Sequence, residues 1–377
     1  MPGDDTRTAG WPVLDEGGSM KTSRAAEAGA APWVRPAVAA LEGYVPGEQP
    51  AGGARVVKLN TNENPYPPSP AVRTAIEAEI ERLHLYPPPD AAGLRLCAGR
   101  LWGVDPAGVV VGNGSDELLV LLLRTFVEPG TAVAYPAPTY SLYSTLIAVQ
   151  GAVVREVPFP PDFALPRGLF DVPAALLLVC NPNAPSGTRI ATAALAELAQ
   201  ARRDAVLVID EAYADFADGD ALSLVGAAPN VVVLRTLSKS YSLAGLRVGF
   251  ALTTPQLARE LHKVRDSYNL DRLAQVGAMA ALEDQATFRH NRDRVRATRA
   301  RLREALLARG YDVPPAETNF VLARSPGRSL QGLMQKLRVE GVLVRWFATV
   351  PDALRITVGT DQEIDELLAA LDRIVPA

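Results

Sequence analysis

Between about residue 105 and residue 255 the chain alternates short apolar runs with helical or loop stretches. The runs cover 109–111, 132–135, 153–157, 175–179, 206–209, 231–234 and 248–252, and most are apolar at successive positions rather than at every second one. A strand that is apolar on both faces has no side to turn to water. It belongs in a mainly parallel sheet covered on both faces, and that requirement constrains the fold more than any other feature of the chain. The intervening periodicity predicts helices over 116–126, 192–203 and 255–267. Asp116 and Glu117 follow Ser115 at the first of these starts, where acids suit the positive end of a helix.

After about residue 272 the pattern changes. A long Ala/Arg-rich helix is expected to run towards Arg309, followed by a strand over 319–323, a helix over 330–340, strands over 342–346 and 354–358, and a closing helix after Gly359. This reads as a smaller α/β domain. With 377 residues, one large or two moderate domains are expected. The predicted layout is a flexible arm (1–34), a segment packing on the small domain (35–60), a large domain (61–272) and a small C-terminal domain (273–377).

Composition excludes several classes of function. The formal charge is −4, whereas a nucleic-acid-binding domain usually has a pI above ~9. The arginine-rich stretch 289–309 is interleaved with Ala and Leu and reads as a solvated helix face. No apolar run reaches the ~18 residues of a membrane span. The first 32 residues lack the apolar centre of a secretory signal, so a cytoplasmic location is expected. Cys97 and Cys180 make no disulfide framework, and His84, His262 and His290 are scattered, so no metal site is expected. Cys180 reads as a buried strand residue.

The chemistry concentrates at strand ends. Asp210 closes the run 206–209, at the carboxyl end of a buried strand, where open α/β sheets place ligands. Twenty-nine residues on, Lys239 stands among Leu237, Ser238, Ser240 and Tyr241 rather than among charges. Partial burial would lower its pKa and make it a nucleophile and a base. Arg247 follows closely, and residues 111–116 read strand, glycine turn (Gly112, Gly114), helix start, with Ser115 and Asp116 at that start. Backbone N–H groups there suit a dianion. Together these residues suit pyridoxal phosphate: an amine for its aldehyde, a carboxylate for its pyridine nitrogen, and donors for its phosphate. Tyr213 can reach the ring's phenolic oxygen and Tyr140 can stack on the ring. Arg345 and Arg355 flank a short loop in the small domain. A guanidinium there suits a substrate carboxylate or phosphate, or an ion pair with Asp361 or Glu363.

On these motifs the chain resembles the class II aminotransferases of fold type I, most closely their histidinol-phosphate branch. The matching segments, spread over 35–365, include Tyr44-Val45-Pro46-Gly47, Asn62-Glu63-Asn64-Pro65-Tyr66, residues 112–117, Pro138-Thr139-Tyr140, residues 181–187, 210–213 and 236–247, Thr318-Asn319-Phe320 and residues 354–360. The resemblance implies a fold-type I pyridoxal-phosphate transferase with a large sheet domain and a small C-terminal α/β domain. It implies transfer of an amino group from histidinol phosphate to the 2-oxo acid 2-oxoglutarate. Lys239 would hold the cofactor and move the proton, Asp210 would hold the pyridine nitrogen, Tyr213 would contact the phenolic oxygen and Tyr140 would stack. Ser115 and Asp116, with Thr236, Ser238 and Arg247, would bind phosphate. Tyr66 would reach the neighbouring subunit's cofactor, which implies a homodimer. Tyr44 and Asn319 would line the substrate pocket, and Arg355 would grip the substrate anion.

The chain departs from the family pattern at one point. Where the family usually reads Asn-Pro-Asn-Asn-Pro-Thr-Gly, residues 181–187 read Asn-Pro-Asn-Ala-Pro-Ser-Gly. The asparagine replaced by Ala184 normally donates to the phenolic oxygen. That bond falls to Tyr213 alone, or to Asn183 if the turn shifts, and an altered pKa of the lysine–cofactor linkage follows. Other readings stay open. An aromatic amino-acid aminotransferase would use Trp346 and Phe347 beside Arg345, and a decarboxylase or a non-catalytic binding module could share the scaffold. A nicotinamide-dependent dehydrogenase would need a third glycine and a strand-end acid that the 112–114 turn lacks.

Overall fold

The computed structural model describes residues 31–41, 43, 46–50 and 56–375; the expected arm up to residue 30 and Tyr44 lie outside the described residues. Residues 31–41 carry one short helix, Pro36–Ala39. The rest of the fold belongs to one compact unit beginning at residue 42.

That unit is built on two sheets. The strands are β1 (Val57–Leu59), β2 (Val109–Asn113), β3 (Ala132–Ala137), β4 (Val153–Pro158), β5 (Leu176–Cys180), β6 (Val206–Asp210), β7 (Val231–Thr236), β8 (Val248–Leu252), β9 (Phe320–Arg324), β10 (Val342–Phe347) and β11 (Val350–Thr357). The large sheet has seven strands in the order β2-β8-β7-β6-β5-β3-β4. Its pairings are parallel except those of β8, which runs antiparallel to β2 and β7.

The sequence pattern explains the layering. Along β6, Leu207 and Ile209 enter one core cluster while Val208 enters the cluster on the opposite face. Val231 and Val233 of β7 are divided from Val232 and Leu234 in the same way. Successive side chains of a strand point to opposite faces, so only an unbroken apolar run fills both layers. Helix Gly114–Phe126 fills one of them through Leu118, Leu119, Leu121 and Leu122.

The smaller sheet, β1-β10-β11-β9, pairs β1 parallel to β10. Its apolar face meets helices Gln285–Ala308, Gln331–Val339 and Asp361–Ile374. Two expectations need correction here. The expected continuous helix from 272 breaks at Asp284, which accepts from Thr287 N (3.1 Å) and caps the second of two helices, Arg272–Glu283 and Gln285–Ala308. The arginines of that second helix are also more than a solvated face. Arg301 bonds to Asp365 (2.5 Å), Arg309 to Asp372 (2.8 Å), and Arg299 to the carbonyl of Thr318 (2.8 Å), tying the helix to its neighbours.

Candidate active site

A cleft of about 250 Å³ opens at the carboxyl ends of β5, β6 and β7 and faces the small sheet. Asp210, at the tip of β6, lies at its floor and is 3 % exposed. Both of its hydrogen-bond donors are neutral: the Tyr143 hydroxyl (2.7 Å to Oδ2) and Ala212 N (3.2 Å to Oδ1). Burial pushes this carboxyl up to about 6, against the lowering effect of the Tyr143 bond. A buried carboxylate without an opposing cation is costly, and a protonated ring nitrogen would relieve it.

Lys239 follows β7 and points into the same cleft. Burial, then the nearby positive charge of Arg355, depress its amine to about 8. Its backbone is held from two sides. Asn64 Nδ2 donates to the Lys239 carbonyl (2.9 Å), and Ser240 Oγ donates to Asp215 (2.5 Å). Asp215 in turn binds Arg235, which also meets Glu211 (2.8 Å), so Glu211 of the 210–213 motif serves a buried ion network rather than the cleft.

One end of the cleft is a cup formed by the helix start at Gly114 and by the loop after β7. Ser115, Asp116, Thr236, Ser238 and Arg247 line it. Arg247 bonds to Ser238 Oγ (3.3 Å) and Asp116 Oδ2 (3.2 Å). Two glycines make this approach possible. Gly114 has φ 78°, and a Cβ there would lie 2.5 Å from Arg247 Nη2. A Cβ on Gly249 would lie 2.5 Å from Ser115 N. Tyr140 forms one wall, its hydroxyl 3.3 Å from Asp116, and its ring meets Tyr143 edge-on with centroids 5.5 Å apart. Tyr213 forms part of the opposite wall, its hydroxyl bonded to Asn62 Nδ2 (3.0 Å) and its acidity suppressed by burial, the pKa pushed up to about 12.

The far end of the cleft belongs to the small sheet. Arg345 of β10 and Arg355 of β11 are direct cross-strand partners, and both line the cavity with Phe347 beside them. Each guanidinium lies over the Phe347 ring, at 5.4 and 5.2 Å. The alternative ion pairing of Arg355 is not made. Asp361 bonds to Arg301 and Thr298, and Glu363 caps the last helix at Thr360.

Four expected residues do not line the cleft. Gly114 packs beneath Arg247 and gives the cup its shape without lining it. Asn319, expected in the substrate pocket, is fully buried outside the lining and donates to the carbonyl of Asn62 (2.9 Å). Asn183 does not replace the missing asparagine. It is buried, with its amide spent on Pro138 O (3.2 Å), Ser186 Oγ (3.0 Å) and Thr139 Oγ1 (2.8 Å), while the Ala184 side chain lies at the cleft. Tyr66 packs under Arg294, whose guanidinium is 3.7 Å from the ring centroid, and is not part of the cavity wall of this chain. Conversely, sequence reasoning missed the site roles of Asn62 and Tyr143. Both lie within quoted or nearby motifs, but only tertiary packing brings them to Tyr213 and Asp210.

Residues 54–371 match the family model of class I and II aminotransferases, and the chain belongs to that family. Within it, curated relatives named histidinol-phosphate aminotransferase include one from Synechocystis, 46 % identical over 340 residues and covering 90 % of this chain and 97 % of the relative. Another, from Geobacter sulfurreducens, is 45 % identical over 343 residues, covering 89 % and 98 %. A solved histidinol-phosphate aminotransferase from Sinorhizobium meliloti, in complex with pyridoxal-5'-phosphate, superimposes with a TM-score of 0.83 at 28 % identity, covering 92 % of this chain and 98 % of that one. The donor set found here fits such a cofactor: a buried acid with no ion pair among the described residues, a half-buried lysine whose amine has a lowered pKa, and a helix start shaped by Gly114 and Gly249.

Proposed function

We propose that this chain binds pyridoxal phosphate and catalyses transamination between L-histidinol phosphate and 2-oxoglutarate, giving imidazole acetol phosphate and L-glutamate, a step of histidine biosynthesis. The observation that carries the substrate is the Arg345–Arg355 pair. They are cross-strand partners that both line the far end of the cleft, and a fork-shaped cation suits a phosphate or carboxylate. A phosphate ester satisfies both guanidinium groups in one half-reaction, and the distal carboxylate of 2-oxoglutarate does so in the other.

When bound, the cofactor supplies an aldehyde that takes up the amino group and a protonated ring that accepts the electron pair left on the reacting carbon. The residues of the chain supply the rest. Asp210, held by Tyr143, keeps the proton on the ring nitrogen. Lys239 Nζ, with a pKa of about 8, has a basic fraction near neutral pH that would take the proton from the substrate carbon and pass it to the carbon that had carried the aldehyde, as net amino transfer requires. Tyr213 would donate to the phenolic oxygen, Tyr140 would cover one ring face, and Ser115, Asp116, Thr236, Ser238 and Arg247, which line the same cleft, would anchor the phosphate.

The aromatic-substrate alternative loses support from Trp346. That side chain lies outside the cleft lining and donates to Pro351 O (3.0 Å), leaving Phe347 as the aromatic at the far end among the described residues. We also place two copies in the working enzyme, with Tyr66 serving the neighbouring site. Exposed Leu83 and Leu85 and the stacked Tyr86–Tyr268 pair (4.5 Å) offer an apolar surface for such pairing. As for location, no helix among the described residues is long and apolar enough to cross a membrane.

The test is a half-reaction panel following the spectrum of the loaded protein with histidinol phosphate, phenylalanine, tyrosine and leucine. Conversion by histidinol phosphate at the highest rate supports the proposal. Faster conversion by phenylalanine would replace it with the aromatic reading.

A further inference from the structure

We propose that Asn62 is a positioning residue that fixes the direction of the Tyr213 hydroxyl proton, turning it into the cleft as a donor to the cofactor's phenolic oxygen. The inference rests on the cofactor reading above and adds a residue to it.

Asn62 lies just beyond β1, is 1 % exposed and has a φ of 56°. Its backbone N–H donates to Thr357 Oγ1 (3.0 Å). A backbone amide can only donate, so the Thr357 hydroxyl must place its own proton elsewhere, and Asn62 Oδ1 accepts it at 3.0 Å. This assigns the oxygen of the Asn62 amide to Thr357 and the nitrogen to Tyr213, whose hydroxyl oxygen lies 3.0 Å from Nδ2. An amide nitrogen also only donates. Tyr213 therefore accepts on that side, and its proton is directed to the side that opens on the cleft.

The arrangement is held firmly. The Asn62 carbonyl accepts from Asn319 Nδ2 (2.9 Å), so every polar group of Asn62 is engaged and its left-handed backbone is over-determined. Thr357 is the last residue of β11, and Asn319 immediately precedes β9. The small sheet thus sets the polarity of a hydroxyl on the large one. The charged and titratable groups acting on Tyr213 include Arg355, Asp210, Cys180 and Lys239, whose Nζ is 5.9 Å from the ring centroid; among the described residues, the hydrogen bond to its hydroxyl comes from Asn62. The direction matters more because Ala184, which lines the cleft, stands where the family pattern has an asparagine.

Two measurements test the proposal. The first is the pH midpoint of the visible-spectrum change of the loaded full-length protein. A donor to the phenolic oxygen favours its anionic form, so losing the donor moves the midpoint up. Asn62→Ala and Thr357→Val should each raise it by roughly half a unit to one unit, the size of one ordinary hydrogen bond. Thr357→Ser should restore it, and Asn62→Ala should add nothing in a Tyr213→Phe background. No shift, or an equal shift in that background, overturns the proposal. The second uses the cofactor-free protein carrying a polyfluorinated tyrosine at position 213, acidic enough to titrate within the stable pH range by ¹⁹F NMR. Asn62→Ala should raise its pKa, since the lost N–H favours the phenolate; an unchanged pKa refutes the link. A wild-type protein that takes up no cofactor would instead refute the proposed function, while the fluorine titration would still decide the Asn62–Tyr213 link.

Discussion

Replacing Tyr143 by Phe removes one hydroxyl from a fully buried site and leaves the ring in place against Tyr140 and Tyr135. The hydroxyl is 2.7 Å from Asp210 Oδ2, and only Ala212 N, on the other oxygen, remains as a donor. A hydrogen bond to a charged group is worth about 1.5–3 kcal/mol. At 1.36 kcal/mol per unit, the loss raises the Asp210 pKa by roughly one to two units above its present value of about 6. The carboxylate then competes with the ring nitrogen for the proton that makes the ring an electron sink. If that deficit falls on the transition state, kcat drops roughly tenfold to a hundredfold. KM for histidinol phosphate should stay within about twofold, because Tyr143 does not line the cleft. Steady-state kinetics on the folded, fully loaded variant supply the test. A kcat within about twofold of the parent would refute the view that Asp210 depends on this hydroxyl.

Other outcomes follow from the same geometry. Lys239→Ala should fold and bind cofactor but lose turnover; retained transamination would end its assignment as the proton carrier. Arg355→Gln should raise KM for histidinol phosphate at least about tenfold while leaving phenylalanine turnover nearly unchanged, and parallel losses would indicate general damage instead. In the cofactor-free protein, Lys239 has its pKa lowered from 10.5 to about 8. The unfolded chain then binds the extra proton between those values, so the contribution to stability rises with pH across that window. Thermal midpoints of wild type and Lys239→Met should therefore converge or diverge across it, and parallel profiles would contradict the shift. Arg235→Met strands Glu211, whose side chain has no exposure, and should cost about 3–5 kcal/mol in chemical denaturation, with a loss below about 1 kcal/mol counting against the buried network.

Much of this was legible in the sequence, for physical reasons. Runs such as 206–209 and 231–234 are apolar at every position, and only a sheet covered on both faces satisfies them. Asp210 stood out as a charge that closes such a run, and Lys239 as a lysine set among Leu237, Ser238, Ser240 and Tyr241 rather than among charges. The helix break at Asp284 escaped because Ala/Arg periodicity continues across it, and the cap bond to Thr287 is a local detail that periodicity does not register. Asn319 was placed at the substrate by resemblance, yet its amide holds Asn62 from behind. Asn62, Thr357 and Tyr213 lie far apart in the chain, and the proton relay among them exists only after the two sheets meet. The substitution at Ala184 could be read directly, but the failure of Asn183 to replace it depended on bonds to Pro138 and Ser186.

The central claim is that one buried amine carries the cofactor opposite one buried acid. Borohydride treatment of the loaded protein, followed by digestion and mass spectrometry, addresses it most directly. The reduced pyridoxyl group should appear on the peptide containing Lys239 and on no other. A label on a different lysine, or none in a protein that shows the cofactor's visible band, would contradict it.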